Sequence, residues 1–126
     1  MLETSVLIGY LRTKDAALWS LIQSQAPVIC GLTRAEVLAG ARNPADRARL
    51  LITLNSFGQL TFVEGWWENI GDNAALLRSK GVVVPMSDIV IASIAIAANH
   101  DLWTRDRHFI QMQVVLPALR LFQEPP

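Results

Sequence analysis

Apolar positions along this chain fall into two alternating rhythms. Short β-branched or apolar runs are each followed by longer stretches with helical spacing. Residues 2–4 read as a very short first strand, and residues 6–11 as a helix with Ser5 as its N-cap. Residues 15–24 place Ala17, Leu18, Leu21 and Ile22 on one helical face. Pro27 breaks that helix, and residues 27–30 form a second strand. Thr33-Arg34-Ala35-Glu36 has the capping-box pattern, predicting a helix from there to about Gly40. Asn43-Pro44 opens another helix with Leu50, Leu51 and Leu54 facing inward. Residues 59–63 alternate like a strand, and residues 66–79 form a helix stopped by Gly81. Ser87 would cap an apolar helix over 88–98. A short strand at 101–104, a helical turn at 107–111 and a last strand at 119–122 complete the chain.

Short strands alternating with helices predict an α/β fold with a parallel sheet covered on both faces. A chain of 126 residues has the length of one domain, and a 52% hydrophobic content supplies a core for it. The longest apolar run, 89–98, is half a bilayer span and follows Asp88, so it reads as a buried helix rather than a membrane segment. The lone Cys30 cannot form an internal disulfide and reads as a buried structural thiol, which fits a reducing cytoplasmic setting.

The candidate chemistry lies in four acids at strand-to-helix junctions: Glu3, Glu36, Asp88 and Asp106. In an open parallel sheet such junctions gather outside the carboxyl ends of the strands. Carboxylates brought together there repel unless a cation neutralises them, which points to a hard divalent metal and metal-assisted hydrolysis. Each acid also has a local alternative: Glu36 as the capping-box acid, Asp88 at a helix dipole, Asp106 as a turn cap, Glu3 as an exposed terminal residue. His100 and His108 fit no zinc spacing. Net charge is zero, yet setting the four acids aside leaves seven against eleven basic residues, an excess of four positive charges. Arg34, Arg105 and Arg107 stand beside these acids, as suits a phosphate-bearing substrate, and Arg105 and Arg107 are the candidates to steady it. Trp66-Trp67 reads as core plus edge packing, where an exposed member would mark a partner surface.

Four segments together resemble the PIN-domain ribonucleases of the VapC toxin type. They are Glu3-Thr4-Ser5-Val6-Leu7-Ile8, Thr33-Arg34-Ala35-Glu36-Val37-Leu38-Ala39-Gly40, Ser87-Asp88-Ile89-Val90-Ile91-Ala92-Ser93-Ile94-Ala95 and Leu102-Trp103-Thr104-Arg105-Asp106-Arg107-His108-Phe109. The resemblance spans nearly the whole chain and implies one PIN-like domain over 1–126, built as a three-layer α/β/α sandwich around a parallel sheet. It further implies a Mg²⁺- or Mn²⁺-dependent endoribonuclease, a small VapB-like antitoxin that neutralises it, and a homodimer. Glu36, Asp88 and Asp106 match the family's metal-site acids, and Ser5 and Thr104 match its supporting hydroxyls.

One departure bears on chemistry. The family has aspartate where Glu3 stands, so this carboxylate sits one methylene, about 1.5 Å, further out. A shift of about 1 Å in a catalytic constellation can cost on the order of a hundredfold in rate. Gly9 stands where many relatives carry an acid. Only Met1 and Leu2 precede Glu3, so the expectation is a frayed first strand or a start further upstream. The expected function is therefore RNA hydrolysis by Glu3, Glu36, Asp88 and Asp106 around one or two metal ions. The rivals are a PIN-like module that binds antitoxin or RNA without efficient cleavage, and a phosphatase or DNA nuclease using the same acids.

Overall fold

The computed structural model describes residues 1–126 and places seven helices around a parallel sheet of very short strands. The helices are α1 (Thr4–Thr13), α2 (Ala16–Gln25), α3 (Gly31–Ala39), α4 (Pro44–Asn55), α5 (Trp66–Ser79), α6 (Met86–Ala97) and α7 (Arg107–Val115). Strand β1 (Val28–Ile29) pairs in parallel with β2 (Gly58–Gln59). On the other side of β1 lies Leu2, whose N–H donates to the Val28 carbonyl at 2.8 Å. Leu2 bridges in parallel to Trp103, and Leu102 to Leu121. The sheet therefore runs from β2 through β1, the first residues and 102–103 to Leu121.

Neighbouring residues on a strand point to opposite faces, and here each pair divides between two hydrophobic cores. Met1, Cys30 and Leu102 join Leu77, Ile91, Ile94, Phe109 and Met112 of α5, α6 and α7. Leu2, Ile29 and Trp103 join Val6, Leu7, Ile22, Val37 and Leu54 of α1 to α4. This is the predicted three-layer α/β/α sandwich. The first strand is not frayed. Leu2 is fully buried at the middle of the sheet, and the Met1 ammonium donates to the Asp101 carbonyl at 2.6 Å. Burial lowers the pKa of that ammonium.

Several element ends differ from expectation. Helix α1 starts at Thr4, and its cap is Glu3 rather than Ser5, because the Glu3 side chain reaches the Ser5 N–H at 2.7 Å. Helix α3 starts at Gly31, ahead of the supposed capping box. Arg34 N–H already returns to the Cys30 carbonyl at 3.2 Å, so Thr33 is interior and buried, and Glu36 is free of any capping duty. Helix α6 starts at Met86 behind Pro85, whose φ of −59° is preset for a helix entry, so Ser87 lies inside the first turn. Residues 59–63 extend the sheet by little more than Gln59, since only β1 is there to pair with. Helix α7 continues to Val115 because Phe109 and Met112 anchor it in the core. Gly81 does end α5. At φ 75° it turns the chain so that Val82 N–H reaches the Leu77 carbonyl at 3.0 Å.

Because Leu2 sits fully buried between two strands, Leu2→Ala should lower unfolding free energy by about 2–5 kcal/mol. Val114→Ala, at an 82% exposed position, should stay within about 0.5 kcal/mol of the parent. Urea melts of both variants test this, and equal losses would contradict a central first strand.

Candidate metal centre

Three of the four junction acids sit where a helix N-terminus offers free N–H groups and a positive dipole end. Glu3 caps α1, Asp106 caps α7 by accepting from His108 N–H at 2.9 Å, and Asp88 lies in the first turn of α6. Glu36 differs. It faces out of α3 toward α1, where the Thr4 hydroxyl donates to its Oε1 at 2.7 Å.

Glu3 is the most constrained member. It is only 4% exposed and has no basic partner. Its Oε2 accepts from Ser5 N–H at 2.7 Å, from the Ser5 hydroxyl and from the Thr104 hydroxyl at 3.0 Å, while Oε1 takes no protein donor. Burial raises the Glu3 pKa above its usual value, the Ser5 and Thr104 hydrogen bonds oppose this, and the nearby Asp106 charge adds to the rise. The Thr104 hydroxyl also accepts from Asp106 N–H at 3.0 Å, and the Ser5 hydroxyl from Arg105 N–H at 2.9 Å. Ser5 and Thr104 thus tie the start of α1 to the strand end that leads into α7.

On the other side, His108 stands between two acids. Its Nδ1 is 2.7 Å from Asp88 Oδ2 and 3.5 Å from Asp106 Oδ1. The ligand atoms of Asp88, Asp106 and His108 all lie within 4.8 Å of one another. The Asp88 hydrogen bond chiefly raises the His108 pKa, which favours the protonated ring beside the two carboxylates. Carboxylate oxygens dominate this donor set, which suits a hard cation. The uncommitted Oε1 of buried Glu3 and the repulsion among the acids fit such an ion as well.

Of the acids singled out in the sequence, Asp88 and Asp106 converge and Glu3 lies near Asp106, whereas Glu36 is outside that group and is held by Thr4, the residue after Glu3. His108 is the member that sequence reasoning undervalued. Its contact with Asp88 spans two helices and leaves no local spacing to read. Thr4 was missed because its partner lies 32 residues away. Arg105 is engaged elsewhere: its Nε and Nη2 meet both carboxylate oxygens of Glu124 at 2.8 and 2.7 Å. Its guanidinium also lies against α1, where a Cβ on Gly9 would stand 3.4 Å from Nη1. Arg107 is exposed at the start of α7 and makes no ion pair.

A fold of this kind, with acids collected at the carboxyl edge of a short parallel sheet, defines a class. Residues 1–115 match the model of the PIN domain, and the chain belongs to the PIN-domain family. Its fold is also that of solved VapBC assemblies. A chain from the crystal structure of VapBC2 from Rickettsia felis bound to a DNA fragment from their promoter superposes with a TM-score of 0.87 at 22% identity, covering 99% of this chain and 98% of that one. DNA-bound VapBC from Salmonella typhimurium gives 0.81 at 22% identity, covering 97% and 95%. VapBC-1 from nontypeable Haemophilus influenzae gives 0.79 at 21%, again covering 97% and 95%. No curated protein sequence gives a significant match.

A His108 pKa raised on folding contributes stability that is complete below the usual value of 6.5 and is lost as pH rises through the raised value. In EDTA, NMR titration of the His108 ring should therefore give a pKa above 6.5, returning toward 6.5 in Asp88→Asn. A ring that titrates identically in both proteins would remove the imidazolium as counter-ion.

Proposed function

We propose that this chain is a metal-dependent endoribonuclease toxin of the VapC type. The observation that carries the reading is the convergence of Asp88, Asp106 and His108 within 4.8 Å, beside the buried and unneutralised Glu3. Glu3, Glu36, Asp88 and Asp106 would hold one or two Mg²⁺ or Mn²⁺ ions. A divalent cation there supplies Lewis acidity, lowering the pKa of water and neutralising charge on a phosphodiester.

The remaining work falls to the chain itself. The Ser5 and Thr104 hydroxyls hold Glu3 Oε2 and oppose the rise in its pKa that burial causes. Thr4 fixes Glu36. Arg107 is free to meet a substrate phosphate, whereas Arg105 can do so only by exchanging Glu124 for it. With Asp88 and Asp106 engaged in holding a cation, His108 Nδ1, now 2.7 Å from Asp88, would be the group placed to exchange a proton.

The expected setting is the cytoplasm, and no helix is long and apolar enough to cross a membrane. A small VapB-like antitoxin is the expected inhibitor, in keeping with the VapBC assemblies that share this fold. Homodimerisation is expected too. A concave apolar face of about 390 Å³ lined by Cys30, Leu32, Leu60, Phe62 and Trp67 supports a protein contact, with Trp67 53% exposed there.

The purified chain with Mn²⁺ should cut a labelled RNA mixture, and Asp88→Asn should lose on the order of a hundredfold or more in rate. Equal cutting by both proteins would place the chemistry elsewhere. A folded parent without activity, unimproved by Glu3→Asp, would establish instead a PIN-like module that binds without cleaving. Preference for DNA or for phosphomonoesters over RNA would move the same site into another class of hydrolase.

A further inference from the structure

A broad concavity lies between α1, α3 and α4, with Glu36 the one junction acid in its lining. It is a groove of about 660 Å³ with Arg12, Lys14, Arg42 and Arg49 among its lining residues. These cations come from separate places: the end of α1, the residue after it, the approach to α4, and the middle of α4. All four are exposed. The groove's acids neutralise them only in part. Asp46 alone serves both Arg42, at 3.3 Å, and Arg49, at 3.5 Å, while Glu36 is bonded to Thr4. Arg12 and Lys14 have no acidic partner, and Lys14 Nζ sits 5.4 Å over the Tyr10 ring.

The position of Glu36 gives this groove a direction. Glu36 lines it and accepts from the hydroxyl of Thr4, the sequence neighbour of Glu3, so that end of the groove is the one nearer the start of α1 and its capping acid. The floor includes Ile8, Leu11, Val37 and Leu50, of which Ile8 is 40% exposed. Cations on the walls with an apolar floor suit a strand that carries phosphates on one edge and bases on the other. A cleft between helices suits a flexible single strand better than a rigid duplex.

We propose that this groove is the path of single-stranded RNA, with its phosphates on Arg12, Lys14, Arg42 and Arg49 and its chain led past Glu36 toward Asp88 and Asp106. The choice of RNA rests on the nuclease reading; the phosphate chemistry of the groove does not.

Binding of a fluorescein-labelled 20-nucleotide RNA to the full chain in EDTA, followed by anisotropy from 50 to 200 mM salt, tests the path without cleavage. Arg12→Gln combined with Lys14→Gln should weaken binding about 5- to 10-fold at low salt. It should also flatten the dependence of log K on log salt by about 1.4, since each single-strand phosphate contact contributes about 0.7. Arg78→Gln with Lys80→Gln, at the far end of α5, should match the parent, and Arg12→Lys with Lys14→Arg should retain binding even if the glutamine pair proves unstable. Unchanged affinity and slope in the glutamine pair would overturn the path, as would no RNA binding by the parent at 50 mM salt. Loss of binding to a hexaglutamate peptide with RNA binding intact would overturn it too, assigning the groove to a protein segment. A parent that binds RNA through the groove but cuts nothing with Mn²⁺ would sustain the path while removing the nuclease reading.

Discussion

An ionisable carboxylate with no countercharge lies buried where the first strand becomes the first helix, and much of the molecule is arranged around that fact. Glu3 is removed from water and loses hydration worth several kcal/mol in an apolar setting. The α1 N-terminus, the Ser5 hydroxyl and the Thr104 hydroxyl replace part of it. Those donors hold their places only because Leu2 pairs with Trp103 across the sheet. Packing of the central strands and polarity of the site are therefore one constraint. A slip of one residue in that pairing would exchange the two cores and withdraw Thr104 from Glu3.

The acids divide into a rigid side and a switchable side. Glu3 is held by groups that cannot change charge, whereas Asp88 and Asp106 face an imidazole that can. The rigid side is fixed by hydrogen bonds that do not depend on the charge of a neighbour. On the other side His108 holds Asp88 at 2.7 Å, so any cation taking that carboxylate would have to displace an internal partner. Occupation of Asp88 by a cation would thereby be coupled to release of a proton from His108.

The sequence made the sandwich legible through alternation: Met1 and Leu2, Ile29 and Cys30, Leu102 and Trp103 each divide between two faces, as the pleat requires. The acids were legible because a parallel sheet sends every strand-to-helix junction to one edge. Caps were less legible. Ser5, Thr33 and Ser87 all have the right chemistry for an N-cap, yet each lies inside its helix, because Glu3, Cys30 and Pro85 leave the preceding segment already in extended geometry. The strand over 59–63 was overextended because alternation reports a half-buried surface and not a hydrogen-bonding partner. His108 stayed obscure because its role depends on how α6 and α7 pack, 20 residues apart, and no spacing within either helix encodes it.

Gly9, Arg105 and Glu124 form a small unit with an evolutionary consequence. The guanidinium lies along α1 at the one residue with no Cβ and is pinned from the other side by the tail. A Cβ at position 9 would stand in contact with Arg105 Nη1, and an acid there would offer it a partner in place of Glu124. The three positions are therefore expected to change together. A relative with an acid at 9 is released from keeping one at 124, and its C-terminal tail is free to drift in sequence, whereas a lineage that fixed glycine here has made its last residues part of the selected structure.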